Sequence, residues 1–135
     1  MIFLTRRATF SASHYYWNDA WTAEKNEQVF GRCSNKNGHG HNYTLDVSVR
    51  GPVDPRTGYV IDLAALKQLV NERVVDRVDH KNFNLDVPFM QGIIPTSENI
   101  ITAMWRELEP AIRPGTLVRL VLWETPNNYV EYTGE

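Results

Sequence analysis

The chain has 135 residues, a size that suits one domain spanning 1–135 and gives it a core burying roughly two-thirds of the unfolded surface. Hydrophobic residues make up 42% and charged residues 22%, with a formal charge of −2, so there is no basic excess to neutralise a nucleic-acid backbone. No apolar run reaches the roughly 18 residues of a membrane span, the N-terminal charges follow rather than precede the apolar residues, and the one cysteine cannot form an internal disulfide. Together these predict a soluble cytoplasmic protein with no nucleic-acid or membrane partner.

Residues 2–12 read as a strand leading to His14. A polar, aromatic-rich stretch from Tyr15 to Gly38 follows and reads as a long loop, and long loops in compact domains usually carry function. Residues 41–50 alternate, with Tyr43, Leu45, Val47 and Val49 on one face and Asp46, Ser48 and Arg50 on the other. Turn residues occupy 51–58. Tyr59-Val60-Ile61 then reads as a short strand, with Asp62 capping a helix that runs to about Val78 along Leu63, Leu66, Val70, Val74 and Val78. Residues 79–95 form a loop, and a second helix covers about Ser97 to Glu109. Residues 116–124 and 128–132 are strands joined by Thr125-Pro126-Asn127. This order predicts an α+β domain: a four-stranded antiparallel sheet with two helices on one face.

The richest chemistry lies in Cys33-Ser34-Asn35-Lys36-Asn37-Gly38-His39-Gly40-His41-Asn42-Tyr43. Two histidines two apart at the start of a strand project to the same side. They supply half of a tetrahedral zinc site. If the first two strands pair antiparallel, His14 is the natural third ligand. Three imidazoles leave a fourth position open, as in a catalytic zinc centre. Three other positions are ambiguous on their own. Asp79 either orients His80 or both are loop residues. Cys33 is either a small buried hydrophobe or, beside a metal, a thiolate base. Glu124, ending the apolar run Leu120-Val121-Leu122-Trp123, is either solvent-facing or a ligand anchor. Lys25, Arg32 and Lys36 read as solvated loop cations.

Several motifs, in order, resemble the 6-pyruvoyltetrahydropterin synthase family and its relatives, the 6-carboxytetrahydropterin synthases. They are Phe10-Ser11-Ala12-Ser13-His14, Cys33 to Tyr43, Gly58-Tyr59-Val60-Ile61-Asp62, Asp79-His80-Lys81-Asn82, Thr96-Ser97-Glu98-Asn99 and Glu124-Thr125. The resemblance implies Zn2+ on His14, His39 and His41, and a catalytic set of Cys33 as general base with Asp79 and His80 as its relay. It implies that Glu124 anchors the pterin, with Thr96, Ser97 and Glu98 beside the ring. It implies the tunnelling fold, in which strands of three subunits close a barrel, two trimers stack into a homohexamer, and active sites sit between subunits. The implied reaction converts 7,8-dihydroneopterin triphosphate to 6-pyruvoyltetrahydropterin with loss of triphosphate, a step of tetrahydrobiopterin biosynthesis. Five residues separate Cys33 from His39, the spacing of the pyruvoyl-forming branch. The alternatives are the carboxy product of the queuosine pathway, with release of acetaldehyde, a retro-aldol cleavage, and a non-catalytic pterin- or metal-binding protein on the same fold.

Overall fold

The computed structural model describes residues 1–135. Strands β1 (Ile2–His14) and β2 (His39–Gly51) form a long antiparallel pair, in register from Ile2 opposite Gly51 to His14 opposite His39. β4 (Thr116–Thr125) pairs antiparallel with the other side of β2, and β5 (Asn128–Tyr132) pairs antiparallel with β4. A two-residue strand, β3 (Lys81–Asn82), runs parallel to β1 at Ala12 and Ser13. The sheet is therefore mixed and five-stranded, in the order β3-β1-β2-β4-β5, where the sequence predicts four antiparallel strands. β3 escapes sequence reading because two polar residues have no periodicity to detect.

The alternating side chains of the three long strands sort cleanly. Ala8, Phe10 and Ala12 of β1, Tyr43, Leu45, Val47 and Val49 of β2, and Leu120 and Leu122 of β4 enter one buried cluster. The opposite face carries cross-strand polar pairs. Arg7 donates twice to Asp46, at 2.8 and 2.9 Å, Thr5 and Ser48 share a hydroxyl hydrogen bond, and Ser11 donates to Asn42.

Helices cover the apolar face. Asp62 accepts from the Ala64 N–H and starts α2 (Leu63–Val70), which continues through a π-helical turn, Asn71–Val75, into α3 (Asp76–Val78). The buried stripe Leu66, Val70, Val74 and Val78 repeats every four residues. An α-helix of 3.6 residues per turn would rotate that stripe off the core, and the wider π turn brings it back. α4 (Ser97–Leu108) packs beside it through Ile100, Ile101, Met104 and Leu108. No helix is long and apolar enough to cross a membrane.

Two expectations change locally. Tyr59-Val60-Ile61 forms bends rather than a strand, because Val60 and Ile61 are both buried and consecutive residues cannot share one face of a strand. The stretch from Tyr15 to Gly38 is not one loop. It contains α1 (Ala23–Phe30), capped by Thr22, and a 3-10 turn, Gly31–Ser34. The helices thus number three: α1, the α2–α3 rod and α4.

Candidate active site

The β1–β2 register opposes His14 and His39 directly and puts His41 across from Ala12. Because β1 and β2 alternate in step, all three imidazoles point to the core side, at the end of the sheet where the apolar packing stops. One nitrogen from each ring falls within 4.8 Å of the others. His14 is fully buried, and its Nδ1 lies 2.8 Å from the Pro95 carbonyl. A carbonyl only accepts, so Nδ1 carries the proton and the Nε2 lone pair faces His39 Nε2 at 3.1 Å. His41 Nε2 is buried with no hydrogen-bond partner. Three nitrogens converging with an orphaned acceptor among them fit a bound metal ion, since a tetrahedral zinc with histidine ligands needs this donor set. Gly38 has φ +77 and lies where a Cβ would sit 3.2 Å from the His14 carbonyl oxygen, so the chain can turn into β2 close beside the ligands.

Burial sets the protonation of the cluster. Desolvation pulls His14 down to about 4, partly offset by Pro95 and the charge of Glu124. Desolvation lowers His41 as well, against the opposing pull of Glu124. In both residues desolvation outweighs the opposing pull and favours the neutral imidazole, the form a metal binds. Two tyrosines close the pocket below the histidines. Tyr43, 1% exposed, continues the His39–His41 alternation, and its hydroxyl lies 3.4 Å from His14 Nδ1. Burial first, then the charge of Glu124, raises both Tyr43 and Tyr16 far above the usual phenol range.

Glu124 ends β4 beside the cluster. Its Oε1 lies 3.6 Å from His41 Nε2, and its Oε2 accepts from the Ser97 hydroxyl at 2.8 Å. Thr96, Ser97, Glu98 and Glu124 line one cleft of about 280 Å³ together with Tyr16, Asn128, Tyr129 and Val130. The Thr96 hydroxyl accepts from the Asn99 N–H and caps α4, which orients Ser97 and Glu98 at the first turn.

Cys33 sits in the 3-10 turn, partly exposed. Its carbonyl accepts from the Tyr16 N–H at 2.6 Å, two residues past His14, which ties the Cys33 turn to the end of β1. Asn26, fully buried on α1, ties the helix that precedes this turn to the segment before it. Its amide oxygen accepts from the Asn18 N–H, and its NH2 donates to the Asn18, Trp21 and Thr22 carbonyls. Phe30 stacks on Trp21 and meets the Tyr16 ring edge-on.

Asp79 and His80 lie apart from Cys33. The Asp79 carboxylate accepts from the Ser11 N–H at 2.9 Å, which together with His80 holds it below the usual carboxylate range. His80 Nδ1 lies 3.0 Å from the same oxygen, and the His80 N–H donates to the Ser11 carbonyl. His80 has φ 60 and an 84% exposed side chain. The left-handed backbone at His80 turns the chain into β3 while the ring stays exposed beside Asp79. It borders a cleft shared with Ser11, Ser13, His41, Asn42 and Lys81, and Cys33 is not among the lining residues. Lys25 and Lys36 lie over the Trp21 and Trp17 rings, and Arg32 borders a surface cleft with Glu27. None of the three lines the Glu124 cleft.

Sequence reading missed Tyr16, Tyr43, Asn26 and the Pro95 carbonyl. Tyr43 had a signal, since it follows His41 by two on the same strand face. The others have none, because their roles depend on contacts between distant segments.

The model of the family described as 6-pyruvoyl tetrahydropterin synthase matches residues 3–135. The chain is 43% identical over 132 residues to a 6-pyruvoyl tetrahydrobiopterin synthase of Pongo abelii, covering 98% of this chain and 91% of the relative. The solved structure of Caenorhabditis elegans 6-pyruvoyl tetrahydropterin synthase superposes with a TM-score of 0.93 at 38% identity, covering 99% of this chain and 96% of that one. A protein of Pyrococcus furiosus named dihydroneopterin monophosphate aldolase is 37% identical over 123 residues, 87% of this chain and 85% of its own.

Proposed function

The chain belongs to the 6-pyruvoyl tetrahydropterin synthase family, and from that premise we propose that it is a zinc-dependent lyase of tetrahydrobiopterin biosynthesis. Its substrate is 7,8-dihydroneopterin triphosphate and its product 6-pyruvoyltetrahydropterin. The observation that carries this reading is the convergence of three imidazoles within 4.8 Å beside the cleft that holds Glu124 and Ser97.

His14, His39 and His41 hold the zinc. A zinc ion there supplies Lewis acidity to hydroxyl oxygens of the substrate side chain and so acidifies the neighbouring C–H bonds. The Pro95 carbonyl fixes the His14 tautomer, an outer-shell contact of the kind that orients metal ligands. Glu124 accepts the paired N–H donors of the pterin edge, one on each oxygen, with the Ser97 hydroxyl also donating to Oε2. Cys33, on the turn tethered to Tyr16, takes the side-chain proton as thiolate. His80 returns a proton, and Asp79 keeps its ring oriented. Triphosphate leaves as hydrogens redistribute within the side chain, so the overall change needs no external oxidant.

His80 lines a cleft that reaches His41 but not Cys33, and Asp79 accepts from the Ser11 N–H. We therefore place the pair in the site of a neighbouring subunit, in a homohexamer built as a dimer of trimers.

A second reading has support of its own. The Pyrococcus furiosus relative is named an aldolase, so a related chain is assigned carbon–carbon cleavage. Carboxy-product formation with release of acetaldehyde is a cleavage of the same side chain. Mass analysis of products from 7,8-dihydroneopterin triphosphate separates these. The pyruvoyl pterin with inorganic triphosphate is expected. Acetaldehyde with a carboxy pterin, or a hydroxymethyl pterin, would replace the reading with its rival, and an unchanged substrate would remove the enzyme assignment.

A further inference from the structure

Tyr16 meets the Cys33 turn, the histidine cluster and the Glu124 cleft. Its N–H donates to the Cys33 carbonyl at 2.6 Å. Its ring stands edge-on to His14 at 4.9 Å and to Phe30 at 5.9 Å, which fixes the side chain between two rigid neighbours. It lines the same cleft as Ser97 and Glu124. Tyr16 is thus placed by backbone and ring contacts, in the cleft where the Glu124 carboxylate lies.

Glu124 has two directions open to it. One oxygen is only 3.6 Å from His41 Nε2, and the other is held by Ser97. A carboxylate beside a histidine cluster is also a good metal ligand. To present both oxygens to a donor pair in the cleft it must be held off the histidines, and one serine bond leaves it free to rotate about that contact. A second donor from the cleft side removes this freedom.

We propose that Tyr16 is a positioning residue that, with Ser97, holds the Glu124 carboxylate facing the cleft, and that its ring forms one wall for a planar heterocycle with adjacent N–H donors. The inference rests on the pterin reading above and adds a residue to it. Tyr16 acts on the ligand through Glu124, so its hydroxyl has no effect once the carboxylate is gone.

The test is a double-mutant cycle on the zinc-loaded protein, with oxidised neopterin as a fluorescent probe that cannot complete the reaction. Tyr16→Phe keeps the ring and removes the hydroxyl. It should weaken neopterin binding about tenfold, the scale of one hydrogen bond to a charged group. In the Glu124→Gln background the same change should alter affinity by less than about twofold. Zinc content and melting temperature of Tyr16→Phe should match wild type, which separates positioning from a folding defect. Tyr16→Leu, which also removes the wall, should lose more than Tyr16→Phe. Wild-type affinity in Tyr16→Phe, or an equal loss in both backgrounds, overturns the role of the hydroxyl. Failure of the wild-type protein itself to bind neopterin overturns the pterin reading and this inference with it.

Discussion

His14 is the member of the imidazole cluster shut off from water, and its protonation is therefore coupled to folding. In the metal-free folded chain burial holds it neutral down to about 4, against an ordinary value of 6.5. Between those two values the unfolded chain binds the extra proton and the folded one does not. Stability consequently rises with pH across that window. The contribution is complete above 6.5 and lost as pH falls toward 4, with an upper bound of about 3 kcal/mol. Melting temperatures of chelator-treated protein should fall across this range, and His14→Gln should flatten the slope. A slope unchanged in that variant would place the effect elsewhere. Cys33 and His39 give a contrast at the same scale. Cys33→Ala should retain zinc and lose about 10²–10⁴-fold in turnover, the usual contribution of a general base. His39→Ala should lose most of its zinc with the fold intact, since the strand pairing around it is backbone-made. Metal analysis showing full zinc in His39→Ala would remove it from the ligand set.

At the scale of elements, legibility followed periodicity. The alternation along β2 and the four-residue stripe of α2 were readable because a single apolar face recurs. The third histidine was readable only through an assumed pairing of β1 with β2, which the register bears out. α1 was not readable. Only Asn26 among its eight residues is buried, so the helix is held by an amide and not by an apolar stripe. That same amide ties Asn18, Trp21 and Thr22 to the helix that leads into the Cys33 turn. Asn26→Ala removes the acceptor of the half-buried Asn18 N–H, while the Asn18 and Thr22 carbonyls keep backbone donors, a cost of about 1 kcal/mol. Its effect should be local in the fold but large on activity, as the turn carrying Cys33 loosens. Faster hydrogen exchange over residues 18–34, with β1, β2 and β4 unchanged, is the expected signature. Uniformly faster exchange would instead mark Asn26 as a determinant of the whole fold.

At the scale of the molecule, the sheet is unfinished on both sides. β3 covers only Ala12 and Ser13 of the thirteen-residue β1, and the outer edge of β5 has no partner strand within the chain. Open edges pair with other chains unless something closes them, and pairing with copies of the same chain closes them symmetrically. The candidate acid–base residues are separated as well, with the Cys33 turn tied to Tyr16 and His80 in a cleft whose lining lacks Cys33. If assembly brings the Cys33 of one subunit to the His80 of another, two inactive variants can repair each other. Cys33→Ala and His80→Ala should each be nearly inactive alone. Unfolded together in equal amounts and refolded, they form mixed oligomers in which roughly one site in four draws an intact Cys33 and an intact His80 from different subunits. Activity should return to about a quarter of wild type, and sedimentation should report a hexamer, or at least a trimer. Co-refolding without any recovery, although the mixed oligomers form, would show that each site uses residues of a single chain. A stable, active monomer at micromolar concentration would show that the sheet edges need no partner.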